Sequence, residues 1–325
     1  MVDGAGSNSS LWITAPVLLC AALLMVAPRA YAQDTGEDEW KTPHAGGHTF
    51  SPSSAIPDAF VRTYLRNELG MARTYQFEIP LAVIDGDTIR GAQGSLLFAI
   101  LDLEYQQTIK EWIAVRGQFK VIGRLGTSTS ALLSSGVSAS TGFKIGWLIR
   151  LLQTERGYLS ASFDVSNTDF TTINILDFVG DVVEGEDAEL VRKTPSLRAG
   201  GGLRYTHAFS PLFGIKAFGE TGYGESVDRE SDDEWFFKFG GALDFDLAGV
   251  GWLPIGLSGG YMQDSFPEGG ADIVDVTRAF VFRIGYTGRR DFALGLAYMY
   301  QTLPTKTTDQ KIKTSGLSLD LRYYF

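Results

Sequence analysis

Hydrophobic and polar residues alternate with a period of two along most of the chain from residue 74 onward. In one clear segment, Phe292, Leu294, Leu296, Tyr298 and Tyr300 alternate with small or polar residues. Twelve segments share the pattern: 74–84, 95–106, 111–122, 137–152, 158–166, 196–207, 212–223, 235–248, 254–263, 276–287, 292–301 and 313–325. Each predicts a β-strand with one large apolar face and one small, polar or charged face.

The length and spacing of these segments favour a membrane barrel over a soluble sheet. The segments span about 10 to 14 residues, whereas tilted membrane strands need about 9–11 and globular strands average about 5–6. Long connections (85–94, 123–136, 167–195, 224–234, 264–275 and 302–312) alternate with short ones (107–110, 153–157, 208–211, 249–253 and 288–291). Outer-membrane barrels place long loops outside and short turns on the periplasmic side. We therefore predict an all-β fold, a transmembrane antiparallel up-and-down β-barrel of about 12 strands over residues 74–325, with both termini periplasmic.

Aromatic residues gather near the segment ends, where interfacial girdles are expected. They are Tyr75, Tyr105, Trp112, Tyr158, Tyr205, Tyr223, Trp235, Trp252, Tyr261, Tyr286 and Tyr300.

The last segment alternates Leu317, Leu319, Leu321, Tyr323 and the terminal Phe325 with polar or smaller residues. This end resembles that of bacterial outer-membrane β-barrel proteins of the porin or transporter type. These proteins close on a strand with a terminal aromatic residue that the insertion machinery recognises. The resemblance implies that Leu321, Tyr323 and Phe325 form the barrel-insertion signal, and that outer-membrane lipid and the barrel-assembly machinery are partners. It indicates no narrower family and no catalytic residue.

The N-terminus predicts export. An apolar run at 11–28 precedes Ala30 and Ala32, which fit a signal-peptidase site, so residues 1–32 are interpreted as a signal peptide. The first ten residues lack Lys and Arg, which leaves the true start codon and an uncleaved anchor open. Cys20 lacks the small preceding residue that is usual for a lipoprotein signal. It is the only cysteine of the sequence and lies in the predicted signal peptide, so the mature chain is expected to have no disulfide. The expected location is the bacterial outer membrane.

Residues 33–73 are predicted to be a periplasmic tail. An acidic cluster and a Gly-, Ser- and Pro-rich stretch over 33–55 indicate a solvated linker. His44 and His48 have a metal-binding spacing for a helix, but the glycines between them and Pro43 oppose a helix, so no metal is predicted. Helical spacing of apolar residues after Pro57 predicts a short helix over 57–71, which plugs the barrel or packs beneath it.

Composition removes several other classes. The chain has 325 residues, a net charge of −10 and a mean hydropathy of +0.01, with 44% hydrophobic residues. The hydrophobic fraction excludes intrinsic disorder, and the absence of a basic excess opposes nucleic-acid binding. With only one apolar run of about 20 residues, a polytopic helical membrane protein is also excluded.

The parity of the segments assigns charged residues to the barrel interior. The basic candidates are Arg116, Lys120, Lys144, Arg150, Arg198, Arg204, Lys216, Lys238, Arg283 and Arg322. The acidic candidates are Glu78, Asp102, Glu104, Asp164, Glu220, Asp244, Asp246 and Asp320. A lumen of mixed charge and about twelve strands predicts a pore for passive passage of small solutes. The alternative is a salt-bridged, non-conducting scaffold.

Loop 167–195 contains apolar residues such as Phe170 and Phe178, which predict a short amphipathic helix or a packed surface lid. The outer loops are acidic without the spacing of a calcium loop, and no cofactor or metal is predicted.

Two further functional classes remain as alternatives. A lipid hydrolase would need a Ser–His pair; His207 and Ser210 are close in sequence but fall at a predicted periplasmic turn, so no enzyme is predicted. A self-secreting translocator would place a helix in its barrel, which residues 57–71 fit weakly, but only the predicted tail precedes them and no passenger is evident.

Overall fold

A computed structural model describes residues 41–75, 77–84, 87–125, 136–173, 191–224, 234–248, 251, 253–265, 276–303 and 312–325. The predicted signal peptide, Cys20 and Trp252 lie outside these residues. The strands are numbered in chain order. Two short hairpins, β1 (His44–Ala45) with β2 (His48–Thr49) and β4 (Phe77–Ile84) with β5 (Asp87–Gly94), stand apart from the main sheet.

The other twelve strands form a closed antiparallel barrel. They are β3 (Tyr64–Tyr75), β6 (Leu97–Lys110), β7 (Ile113–Leu125), β8 (Gly136–Gln153), β9 (Gly157–Ile173), β10 (Val191–Ala208), β11 (Phe213–Gly224), β12 (Glu234–Asp246), β13 (Ile255–Ser265), β14 (Val276–Tyr286), β15 (Phe292–Leu303) and β16 (Ile312–Tyr324). Each pairs with the next along the chain, and β16 pairs with β3 to close the ring. The predicted fold class is confirmed.

The alternation turns the apolar face outward. On β14, Phe282 is 56% exposed, whereas the adjacent Val281 and Arg283 are only 5% and 4% exposed. Similar exposure holds for Leu317 and Leu319 on β16, where Asp320 and Arg322 are buried. A soluble sheet would bury the large apolar residues, so an apolar exterior around a charged interior is the arrangement of a barrel in lipid.

The first barrel strand is displaced from its predicted place. Residues 64–71 belong to β3 and not to a helix, and the barrel begins at Tyr64 rather than at residue 74. Leu65 and Leu69 are four residues apart, and because four is an even number they share one face of a strand as well as of a helix. The predicted strand 74–84 falls largely in β4, so Glu78 lies in a separate hairpin and not in the barrel wall.

The shortest connections lie at one end of the barrel, as predicted, and this end is here called the short-turn end. The bounds of the strands leave residues 111–112, 154–156, 209–212, 247–254 and 287–291 as the connections there, and 247–254, with eight residues, is longer than predicted and as long as 304–311 at the other end. The predicted loop 167–195 is wrong at both ends, because residues 167–173 of β9 pair with residues 191–197 of β10. Residues 174–190, including Phe178, lie outside the described residues.

No helix in the described part of the chain is long and apolar enough to cross a membrane.

Replacing an outward residue with arginine should destabilise the barrel according to depth. Phe282 lies in the middle of β14 and Tyr286 at its short-turn end, and both face outward. We expect Phe282→Arg to lower the free energy of unfolding by about 2–4 kcal/mol and Tyr286→Arg by about 0–1 kcal/mol, because arginine near an interface keeps its hydration. Equilibrium unfolding by guanidinium in lipid vesicles measures both, and equal losses would contradict a membrane-spanning β14.

Candidate functional site in the barrel lumen

Residues 41–63, here called the luminal segment, run inside the barrel. The Ala59 N–H donates to Thr206 Oγ1 on β10 at 3.2 Å, and Ser160 Oγ on β9 donates to the Ala59 carbonyl at 2.5 Å. The side-chain amide of Gln106 on β6 donates to the carbonyls of Phe60 and Arg62 at 3.3 and 2.8 Å. The predicted solvated linker is wrong for residues 41–55 as well, because Phe50 and Ser51 are buried and the Thr49 and Ser51 amides donate to carboxylates of β12.

Asp244 on β12 is the main attachment of the luminal segment. Its carboxylate accepts the Ser51 N–H at 3.0 Å, lies 3.1 Å from Lys216 Nζ on β11 and faces His48 Nε2 at 3.5 Å. The side chains of Lys216 and Asp244 are fully buried, and the Lys216 amine also donates to the Ser51 carbonyl. Nearby, Asp246 accepts the Thr49 N–H at 3.2 Å. Lys216 and Asp244, predicted to line a pore, instead hold the segment.

Apolar contacts also hold the luminal segment against the barrel wall. The Phe60 ring packs between Phe50 at 5.6 Å and Tyr158 at 4.5 Å, so Tyr158 faces the lumen and is not part of an outer girdle. A Cβ added at Gly214 of β11 would lie 2.5 Å from the Phe50 ring, and one at Gly260 of β13 would collide with Ile56. Glycines in these strands admit the close approach of the segment.

The two histidines of the segment belong to its β1–β2 hairpin. Gly46 and Gly47, at φ 54° and 82°, form the turn between them. His48 Nδ1 lies 3.0 Å from the Pro211 carbonyl oxygen. The pKa of His44 is lowered by its burial and by the nearby His48. Among the residues that the structure describes, no group of three or more His, Cys, Asp or Glu is placed to hold a metal ion.

A cavity of about 450 Å³ lies in the lumen beside the luminal segment, whose residues 53–58 form part of its wall. Nine of the charged residues predicted to face the interior line it: Asp102, Glu104, Arg116, Lys120, Lys144, Arg204, Glu220, Lys238 and Arg322. Arg198 lies with Lys238 on a smaller cavity of about 140 Å³. Arg150 is near the short-turn end, 3.9 Å from Glu111. Arg283 and Asp320 are buried in the wall.

Three charged residues of the cavity were not predicted: Asp58 of the luminal segment, and Arg66 and Glu68 on β3. All three fall in the predicted helix 57–71, although the parity of Arg66 and Glu68 opposite Leu65 and Leu69 is that of a strand. Arg66 binds Asp102 at 2.7 Å and Glu104 at 3.2 Å, and Tyr64 donates to Glu104 at 2.6 Å.

A second network surrounds Asp164 on β9. Arg116 binds its carboxylate through Nε at 2.9 Å and through Nη2, and Lys144 Nζ lies at 3.2 Å. Arg204 lies 3.9 Å from Asp164 and 3.3 Å from Glu220. Three cations therefore share Asp164, and Arg204 also pairs with a second carboxylate, that of Glu220.

The residues weighed for hydrolysis serve packing and a turn. His207 stacks near Tyr205 and contacts Phe209, with ring centroids 6.1 and 4.9 Å apart. Ser210 Oγ accepts the Phe213 N–H at 3.1 Å. No hydrogen bond between His207 and Ser210 occurs in the described structure.

The closed strand order, the apolar exterior and the charged interior define a transmembrane β-barrel of the outer-membrane type. The sequence matches no protein-family model and no curated protein.

Solved structures with a similar fold include bacterial outer-membrane barrels. An outer membrane channel from Pseudomonas putida F1 is 13% identical, with a TM-score of 0.49, over 85% of this chain and 99% of that one. The NanC porin is 6% identical, with a TM-score of 0.47, over 79% and 100%. The translocator domain of the autotransporter NalP from Neisseria meningitidis is 8% identical, with a TM-score of 0.47, over 82% and 90%. With all three scores below 0.5, the fold assignment stands on the strand pairing of this chain.

The buried Lys216–Asp244 pair yields a stability prediction. Asp244→Asn should lower the free energy of unfolding by about 3–5 kcal/mol, because it leaves the Lys216 charge buried without its partner. The double variant Asp244→Asn with Lys216→Met should be more stable than the single variant. Asp291→Asn, which removes a 2.8 Å ion pair with Arg289 at an exposed turn, is the control and should change stability by about 0–1 kcal/mol. A loss for Asp244→Asn no larger than that of the control would contradict the assigned role.

Proposed function

We propose that this protein is an outer-membrane channel for the passive passage of small solutes, with the luminal segment as its gate. The observation that carries the proposal is the charged cavity in the lumen, which adjoins the segment. Its volume of about 450 Å³ is within the range of about 300–1,000 Å³ typical of small-molecule sites. A barrel serving only as a membrane anchor has no need of such a space.

The exterior supports the location. Phe237 and Phe239 on β12 and Phe280 and Phe282 on β14 are each about half exposed, and only β13 lies between the two strands. Exposed apolar surface of this extent would drive aggregation in water but is satisfied by lipid. The proposal includes export by the N-terminal signal, insertion by the barrel-assembly machinery through Leu321, Tyr323 and Phe325, and short turns facing the periplasm.

The luminal segment determines whether solute passes. It is bound to β6 through Gln106 and to β12 through Asp244, strands that lie six positions apart, and so opposite one another, in the ring of twelve. The segment contacts the strands through hydrogen bonds, ion pairs and ring packing. It is therefore able to move out of the lumen without the breaking of a covalent bond. Passage through the short-turn end requires that release.

The same contacts favour a second candidate, a plugged barrel with a purely structural role. In that case the buried Ser51–Asp244–Lys216 contacts would be permanent, and the cavity would hold only water. A reversible lock on the segment distinguishes the two candidates.

Ser51→Cys with Gly256→Cys provides that lock. A Cβ added at Gly256 would lie 2.5 Å from Ser51 Oγ, within reach of a disulfide. In proteoliposomes, swelling in isotonic arabinose should fall to the protein-free rate when the pair is oxidised and should recover on reduction. The wild-type protein and each single cysteine variant should be unaffected by the reductant.

Two results would contradict the proposed gate. Swelling above background that is equal in the oxidised and reduced states would show that the segment does not control passage. Background swelling in both states and in the wild-type protein, with insertion confirmed, would establish the structural role instead.

A further inference from the structure

One sector of the cavity is apolar. Met262 on β13, Val281 on β14 and Ala297 and Met299 on β15 line the cavity on adjacent strands. Val281 is in register with Met299, and Met262 packs against the apolar cluster that includes Ile56 and Phe218. A polar solute group placed against these four side chains would lose its hydration without gaining a hydrogen bond from them.

The opposite sector of the cavity is cationic. In the ring of twelve, β7 to β9 lie six positions from β13 to β15. Arg116 and Lys120 on β7 and Lys144 on β8 line the cavity there, with Arg204 of β10 beside them. Arg116, Lys144 and Arg204 share the carboxylates of Asp164 and Glu220, so three cations face two anions before Lys120 is added.

Lys120 is the most available of these cations. It is exposed and lines the cavity, and among the described residues the carboxylates of this sector pair with other cations. Asp102, its register partner on β6, is already bonded to Arg66 at 2.7 Å and to the Gln118 amide at 2.8 and 2.9 Å. The acidic side chains of β3 and β6 therefore leave the Lys120 charge without a direct partner.

We propose that the cavity binds amphipathic organic anions, with the anionic group at Lys120 and Lys144 and an alkyl or aryl group against Met262, Val281 and Met299. The inference rests on the proposed channel and specifies its solute class. A cation with an apolar group would match only the apolar surface, and a uniformly polar anion would match only the cationic surface. An anion with an apolar tail satisfies both, because burying each CH₂ group contributes about 0.8 kcal/mol.

Equilibrium dialysis on the whole protein in nanodiscs tests the proposal, with empty nanodiscs subtracted. The probes are 4-phenylbutyrate, acetate, which lacks the apolar group, and 4-phenylbutylamine, which reverses the charge. We expect 4-phenylbutyrate to bind at least about tenfold more tightly than either of the others.

Variants assign the two surfaces separately. Lys120→Gln with Lys144→Gln should abolish the preference for 4-phenylbutyrate over 4-phenylbutylamine, and Met299→Gln should reduce its preference over acetate. Lys110→Gln and Ile109→Gln, on exposed residues at the short-turn end of β6, are the matched controls and should change neither preference.

Equal binding of acetate and 4-phenylbutyrate, equal or tighter binding of 4-phenylbutylamine, or no binding above empty nanodiscs would each overturn the inference. Dialysis does not depend on conduction, so the two proposals fail differently. A barrel that passes arabinose without binding 4-phenylbutyrate refutes the solute class alone. A barrel that binds 4-phenylbutyrate but never conducts refutes the channel.

Discussion

The backbone hydrogen bond between neighbouring strands is the interaction on which the rest of this structure depends. Lipid offers no donor or acceptor, so a sheet in a membrane has to pair every strand and close on itself. Here the closure is the pairing of β16 with β3, from Lys313 opposite Tyr75 to Tyr324 opposite Tyr64. Alternate side chains of each strand point to opposite faces of the wall, and closure makes one of these faces the lumen. Charged side chains are therefore gathered in the lumen, where they can pair or bind solute.

The same demand explains how an irregular segment is accommodated at this depth. Residues 50–63 form no strand, so their backbone groups need partners other than a sheet. Asp244 and Thr206 accept the amides of Ser51 and Ala59, while Gln106 and Ser160 donate to carbonyls. Luminal polar side chains thus supply the segment with the backbone hydrogen-bond partners that neighbouring strands supply in the wall. A lumen of mixed charge is suited to this, because it offers both donors and acceptors.

The period of two made the barrel predictable, and its limits explain the errors. Eleven of the twelve strands lie near their predicted places, and Arg116, Arg204 and Lys238, assigned to the interior by parity, line the luminal cavity. The first strand was missed because the spacing of Leu65 and Leu69 fits both strand and helix. The luminal segment was beyond reach, because its contacts join residues far apart in the chain: Ser51 and Asp244 are separated by 193 positions. No local pattern distinguishes such a segment from a solvated linker.

Residues 41–63 are held inside the barrel, and amide hydrogen exchange of the whole protein in nanodiscs tests this placement most directly. The Thr49, Ser51 and Ala59 amides are bonded to Asp246, Asp244 and Thr206. We expect these amides to exchange far more slowly than those of an unstructured peptide, and Asp244→Asn to speed exchange at Ser51 most. Exchange at the rate of an unstructured peptide in the wild-type protein would contradict the luminal placement.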